Sequence, residues 1–298
     1  EWITPEMDID ADLLRSCPLD CEEFVLQGQV ARARAYVTGL GFYELEINGK
    51  RVGDQVLTPG WTSYDHRVQY QTYDVTDLLQ DGANAAGATL GDGWYRGYLG
   101  FEDQRNLYGE RALLLVQIHI DYADGREQII GSDESWKAST GPILLSEIYH
   151  GETYDARLEK PAWSQPGYDD GEWSPVSSIE KDVHLVAPLG PPVRKIEELR
   201  PIAILQTPAG ETVVDMGQNM VGWVRLEVQG PAGTTVTLRH AEVLDQAGNF
   251  YTTNLRSARQ TVHYTLKGEG QEVFEPHFTF MGFRYVSVEG YPGKLSLD

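Results

Sequence analysis

The chain has 298 residues, 41% of them hydrophobic and 23% charged, with a formal net charge of −21 at pH 7. That acidity repels phosphate backbones and anionic lipid, which excludes nucleic acid and membrane surfaces as partners and leaves neutral ligands and cations. At about 150 residues per domain the length suggests two domains, and no apolar run approaches the roughly 20 residues of a membrane span.

The chain opens EWITPEMD, without an initiator Met or a basic-then-apolar leader, and so reads as an excised or processed piece. Cys17 and Cys21 follow in CPLDC. A zinc site would need two more soft ligands and a redox motif two intervening residues rather than three, so the pair reads as plain thiols or a local disulfide. Tyr43, Leu45 and Ile47 then alternate with Glu44 and Glu46 before Asn48-Gly49. Both turn residues tolerate positive φ, which predicts a type I′ hairpin. DVTDLL at 74 to 79 predicts one helical turn, capped by Asp74 or Thr76 and stopped at Asp81-Gly82.

Residues 91 to 112, GDGWYRGYLGFEDQRNLYGERA, interleave glycines with Trp94, Tyr95, Tyr98, Phe101 and Tyr108. A buried strand would alternate and a solvated linker has no use for rings, so this is a shaped loop. Its rings either plug a sandwich end or form a surface for a flat ligand. Strand alternation returns at Val116, Ile118, Ile120 and Tyr122, closed by Ala123-Asp124-Gly125. Between Ser164 and Arg200 prolines accumulate, and LVAPLGPPVRK marks a boundary. Strands resume at Val224, Leu226 and Val228 and run to HFTFMGFRYVSVEG. The predicted fold is all-β: two jelly-roll-like β-sandwiches in tandem, residues 1–190 and 191–298.

In the second half DMGQNMVGW reads as a strand-connecting turn, with Gly217 permitting an unusual backbone angle and Gln218 and Asn219 tying nearby backbone groups. His240 and Glu242 share a strand face by their spacing and are expected to hydrogen-bond at the surface. No GxSxG elbow, GxxxxGK[ST] loop, HExxH or Rossmann glycine pattern is present. Asp92, Glu102, Asp103 and Glu110 gather near the aromatic loop, but in so acidic a chain such carboxylates read as solvated surface rather than a catalytic pair.

The run GLGFYELEINGKRVGDQVLTPGWTSYDHRVQYQTYDVTDLL, with GDGWYRGYLGF, YADG and SDESWKASTGPILLSEIYHGETYDAR, resembles the N-terminal β-sandwich module of bacterial α-L-rhamnosidases. VVDMGQNMVGWVRLEVQGPAGTTVTLRHAEVLDQAGNFYTTNLRSARQTVHYTLKGEG, with FEPHFTFMGFRYVSVEGYP, resembles the second, concanavalin-like sandwich of the same glycoside hydrolases. In that family an (α/α)6 barrel lies C-terminal to these modules and hydrolyses the glycoside with inversion through an activated water. No helical repeats occur here and the chain ends at GKLSLD. The resemblance therefore implies a non-catalytic accessory region whose partners are a C-terminal catalytic domain and a rhamnose-containing glycoside.

Some members bind rhamnose in the N-terminal module through Ca²⁺, which suits a cation taking 6 to 8 oxygen ligands. Asp65 matches the first position of their Asp-Asn pair, whereas His66 stands where they have Asn and offers a softer ligand. The resemblance implies Asp65, Glu102 and Asp103 for the metal and Asp65, His66, Trp94, Tyr98, Phe101 and Asn106 for the sugar. Trp94 has a second reading as core, because GDGWYRG resembles a segment shared by members whatever their sugar. Two other classes stay open: a stand-alone lectin-like protein, and an interaction scaffold with no sugar site.

Overall fold

Strand register follows the alternation in the sequence. On Phe42–Ile47 the side chains of Tyr43, Leu45 and Ile47 are buried while Glu44 and Glu46 keep partial exposure, and on Leu113–Tyr122 Val116, Ile118, Ile120 and Tyr122 are buried. The computed structural model describes residues 1–7, 18–100 and 104–297. It is an all-β protein. The described helix is confined to one turn at Gly93–Arg96 and three 3-10 turns, one of them the expected Thr76–Leu78, where Asp74 Oδ1 accepts from the Thr76 N–H at 3.1 Å.

The first sandwich is one long strand path folded over on itself. One layer holds Gln71–Asp74, Val30–Leu40, Leu113–Tyr122 and Trp2–Pro5, and the other holds Phe42–Ile47, Gly82–Gly91, Pro18–Leu26 and Lys137–Thr140. Ser174–Ile179 pairs with both Trp2–Pro5 and Lys137–Thr140, and so joins the layers. Between them lies an apolar core with Val37, Ile118, Leu45, Ala88 and Trp136. Asn48 and Gly49 have φ of 53° and 74°, the pair of positive angles that a two-residue hairpin requires.

A seven-stranded sheet forms the main layer of the second unit. Its order is Ile143–Glu147, Gly151–Asp155, Thr261–Thr265, Thr235–Ala241, Met281–Glu289, Thr212–Gly222, Ala203–Gln206. Leu226–Gln229 and Gln271–Phe274 pair separately, and Leu226, Val228 and Phe274 share a core with Leu238, Val262 and Phe283 of the sheet. The first two strands come from far upstream of the Pro-rich segment, and Gly151–Asp155 pairs in parallel with Thr261–Thr265. A period of two tells which face a residue takes, not which strand lies beside it.

The two units meet along a packed and charged seam. Phe42 stacks on Phe278 with ring centroids 6.1 Å apart. Glu152 Oε2 accepts the backbone N–H of His277 at 2.8 Å and of Phe278 at 3.1 Å, and His277 Nδ1 lies 2.9 Å from Glu44 Oε2. Burial raises the Glu152 carboxyl to about 7 against the pull of His277 and of those N–H groups. Burial alone would lower His277, but the Glu44 carboxylate outweighs it and holds the imidazole up at about 9.

Candidate functional site

The glycine-rich run after Gly82–Gly91 makes the single turn Gly93–Arg96 and then pairs Tyr98–Leu99 with Gln104–Arg105. Gly97 sits where a β-carbon would meet Gly93 O at 2.4 Å and Glu147 Oε1 at 2.7 Å, so no other residue fits without moving the loop. Glu147, buried at the end of the first strand of the second sheet, accepts the backbone N–H of Tyr98 at 2.8 Å, of Tyr149 at 2.7 Å and of His150 at 2.9 Å. Burial raises its carboxyl, and the three donors offset part of that rise. Glu147 thereby fixes the loop against the 147–150 turn.

The rings form two tiers. Tyr64 and Tyr95 are buried, with centroids 5.3 Å apart and edge to face, and Tyr108 meets Tyr64 at 5.0 Å. Above them Trp94 is half-buried: its edge contact with Phe42 is 4.9 Å, and Trp61 stacks on it at 6.1 Å with planes 7° apart. Trp61 is 53% exposed and its indole N–H points to Tyr108 Oη at 3.4 Å. Tyr98 lies 4.7 Å from the His150 ring, and the Arg105 guanidinium carbon is 5.7 Å from the Tyr98 centroid. Tyr149 is exposed beside them. Exposed indole over a rigid aromatic base is a surface that suits the apolar face of a sugar ring.

Of the residues expected from sequence, Asp65 and His66 lie exposed in a turn closed by the His66 and Arg67 N–H groups on Ser63 O at 2.8 and 3.0 Å. Asp65 has no hydrogen-bond or ionic partner among the described residues. Tyr64, its neighbour in sequence, anchors that turn to the loop rings, so Asp65 and the loop belong to one region. Asn106 is half-buried with φ of 59° and donates its N–H to Arg96 O at 3.1 Å. Phe101, Glu102 and Asp103, like Cys17, lie outside the described residues. Among the described residues no three His, Cys, Asp or Glu side chains converge as a metal site. Asp92 is held by Arg96 at 3.3 Å. Trp61 was not anticipated, although it stands four residues before Asp65 in TPGWTSYD.

Three expectations need correction. Asp215, Gly217 and Met220 lie within one strand, Thr212–Gly222, whose register shifts between Asp215 and Met220, so the DMGQNMVGW motif is a bulge and not a strand-connecting turn. Gly217 does take a positive φ of 83°, but Asp215, not Gln218 or Asn219, ties the backbone by accepting the Gly217 N–H at 2.7 Å while gripping Arg284 with both oxygens. His240 is fully buried and bonds to Gln260 O at 2.9 Å, while Glu242 accepts from Asn219 and Asn254. Cys21, by contrast, agrees with the plain-thiol reading of CPLDC: it is a free buried thiol that donates to Trp163 O.

Residues 28–197 match the family described as α-L-rhamnosidase N-terminal domain, and residues 205–298 match the bacterial α-L-rhamnosidase concanavalin-like domain. The chain is 52% identical over 270 residues to an α-L-rhamnosidase of Streptomyces avermitilis, covering 90% of this chain and 26% of that protein. It is 40% identical over 271 residues to one from Formosa agariphila, covering 90% and 29%. Among solved structures, the native α-L-rhamnosidase of Aspergillus terreus superposes with a TM-score of 0.96 at 44% identity, over all of this chain and 34% of that one. The Streptomyces avermitilis enzyme complexed with L-rhamnose gives 0.92 at 50% identity, over 95% and 28%. The chain thus spans between about a quarter and a third of the length of these relatives.

Proposed function

The chain belongs to the α-L-rhamnosidase family, whose N-terminal region it matches, and from this we propose that it is the non-catalytic accessory part of an enzyme that removes terminal α-L-rhamnose from glycosides. In this reading it supports a catalytic domain and captures rhamnose on its aromatic loop. The observation that carries the capture role is the Trp61–Trp94 stack, with Trp61 exposed over a rigid base. A relative at 50% identity was crystallised with L-rhamnose, which supports the choice of sugar.

The sugar's apolar face would lie on Trp61, with Tyr149 and the edge of Tyr98 beside it. Asp65, exposed and unpartnered among the described residues, supplies an oxygen to hydroxyls or to a calcium ion that bridges them. A hard cation would take Asp65 together with Glu102 and Asp103, while His66 would add a hydrogen-bonding group rather than a ligand. Calorimetric titration of the 298-residue chain with L-rhamnose and with D-glucose, each with calcium and with a chelator, tests this. Preferential rhamnose binding that weakens on Trp61→Ala supports it, and equal or absent binding of both sugars overturns it.

A further inference from the structure

A cavity of about 240 Å³ lies at the junction of the two sandwiches and shares no lining residue with the aromatic loop. Its polar wall comes from three parts of the chain: Glu44 and Arg51 from the first sandwich, Lys195 from the connecting segment, and Trp223, Glu275 and His277 from the second. The connecting segment is itself fixed. The Val56 N–H donates to Val193 O at 3.0 Å, and Arg194 Nε donates to Asp54 at 2.7 Å, which holds Lys195 at the cavity wall.

The hydrogen-bonding capacity left inside includes several charged donors. Glu44 already accepts from Arg51 at 3.1 Å and from His277 Nδ1 at 2.9 Å, and Glu275 accepts from Lys195 at 2.7 Å and from the Trp223 indole at 2.8 Å. Arg51 also donates to Gln55 O at 3.0 Å, which leaves most of its guanidinium N–H groups without an acceptor among the described residues. Lys195 keeps two of its three donors, and the second ring nitrogen of His277 has no partner among the described residues either. With Glu44 raising His277 to about 9, its ring is an imidazolium at neutral pH. Among the lining residues three cationic groups face two carboxylates, in a chain of net charge −21, with the Glu152 carboxyl behind His277.

We propose that this cavity is a second binding site, for a sugar residue that carries a carboxylate, a uronic acid. The ligand carboxylate takes the spare donors of Arg51, Lys195 and His277, as planar cation–carboxylate recognition favours. The sugar ring lies along Trp223, whose ring centroid is 5.8 Å from Lys195 Nζ, so that indole and ammonium form one surface. Hydroxyls donate to the remaining lone pairs of Glu44 and Glu275. Those same carboxylates disfavour a compact dianion such as phosphate. The volume is just under the roughly 300 Å³ at which pockets for drug-sized ligands begin, which suits one ring and not a longer chain.

The test titrates the 298-residue chain with D-glucuronate, D-galacturonate, D-glucose, D-galactose, acetate and phosphate, followed by calorimetry and tryptophan fluorescence. At least one uronate should bind about tenfold more tightly than its neutral parent sugar and than acetate or phosphate. Lys195→Ala and Arg51→Gln should each weaken that uronate by about tenfold or more, whereas Trp61→Ala should leave it unchanged, which separates this site from the rhamnose reading. Should Arg51→Gln unfold the seam, Lys195→Ala on the half-exposed connecting segment still decides. Equal binding of neutral and acidic sugars, binding of phosphate or acetate as tight as of uronate, no uronate binding, or uronate binding untouched by Lys195→Ala overturns the proposal.

Discussion

A β-carbon on Gly91 would meet the ring of Phe278 at 2.7 Å, so the second sandwich docks on the first at a strand position that has no side chain. Phe278 is 1% exposed and also stacks on Phe42. Gly91→Ala should therefore destabilise the protein by about 1–3 kcal/mol through overpacking, and Phe278→Ala by about 3–5 kcal/mol through the cavity it leaves. Urea unfolding midpoints measure both. Values equal to wild type would show that the seam tolerates either change.

The seam should also loosen as pH rises. His277, raised from 6.5 to about 9, contributes stability that is complete below about 6.5 and lost as pH climbs through about 9. Glu152, raised from 4.5 to about 7, binds its proton more tightly when folded, so stability falls between those two values as well. Glu44 is lowered, with burial overcome by His277, and opposes this only in acid. Thermal melting of Glu152→Gln and His277→Gln beside wild type should show flatter pH profiles over the windows just given. Parallel profiles for all three proteins would remove these two groups from the account.

For the aromatic loop the expected rhamnose affinity is millimolar, about −4 kcal/mol, the scale on which a few ring contacts compete with water. Trp61→Ala should weaken it by about tenfold, and Tyr98→Ala by less because its ring already contacts Arg105 and His150. Asp65→Ala should abolish any calcium dependence while leaving the calcium-free affinity in place. If the chelator changes nothing in wild type, the sugar is held by rings alone.

The isolated chain should not hydrolyse an aryl α-L-rhamnoside. Asp92 pairs with Arg96 and Glu147 accepts three backbone N–H groups, contacts that give both carboxylates a structural role in the loop. Turnover above a heat-killed control that disappears in Asp92→Asn would contradict this.

Much of the architecture was legible because it rests on local rules. Asn48-Gly49 closes its hairpin with both angles positive, and Val116 to Tyr122 bury alternate side chains as their spacing requires. His240 was misread for a reason visible only in three dimensions. It continues the inward series Val236, Leu238, His240 on a strand flanked on both sides, by Thr261–Thr265 and Met281–Glu289, so its face is core and not surface. Trp61 carries no local signal of its role, because it lies outside the glycine-rich run and its stack on Trp94 joins two separate loops. The Glu44–His277 contact joins residues 233 apart, and no periodicity encodes such a pair.

The upstream hairpin that enters the second sheet changes what a separable module can mean here. Gly151–Asp155 lies between Ile143–Glu147 and Thr261–Thr265, so a gene cut at the Pro-rich segment would remove two strands from one product and leave the other carrying a pair with nothing to pair against. Each product would present a bare strand edge, the feature that invites aggregation. During synthesis the hairpin must wait, already made, until the chain beyond residue 261 emerges to receive it. Expression boundaries, domain swaps between relatives and fusion junctions therefore do not belong at the proline-rich segment that looks like a hinge.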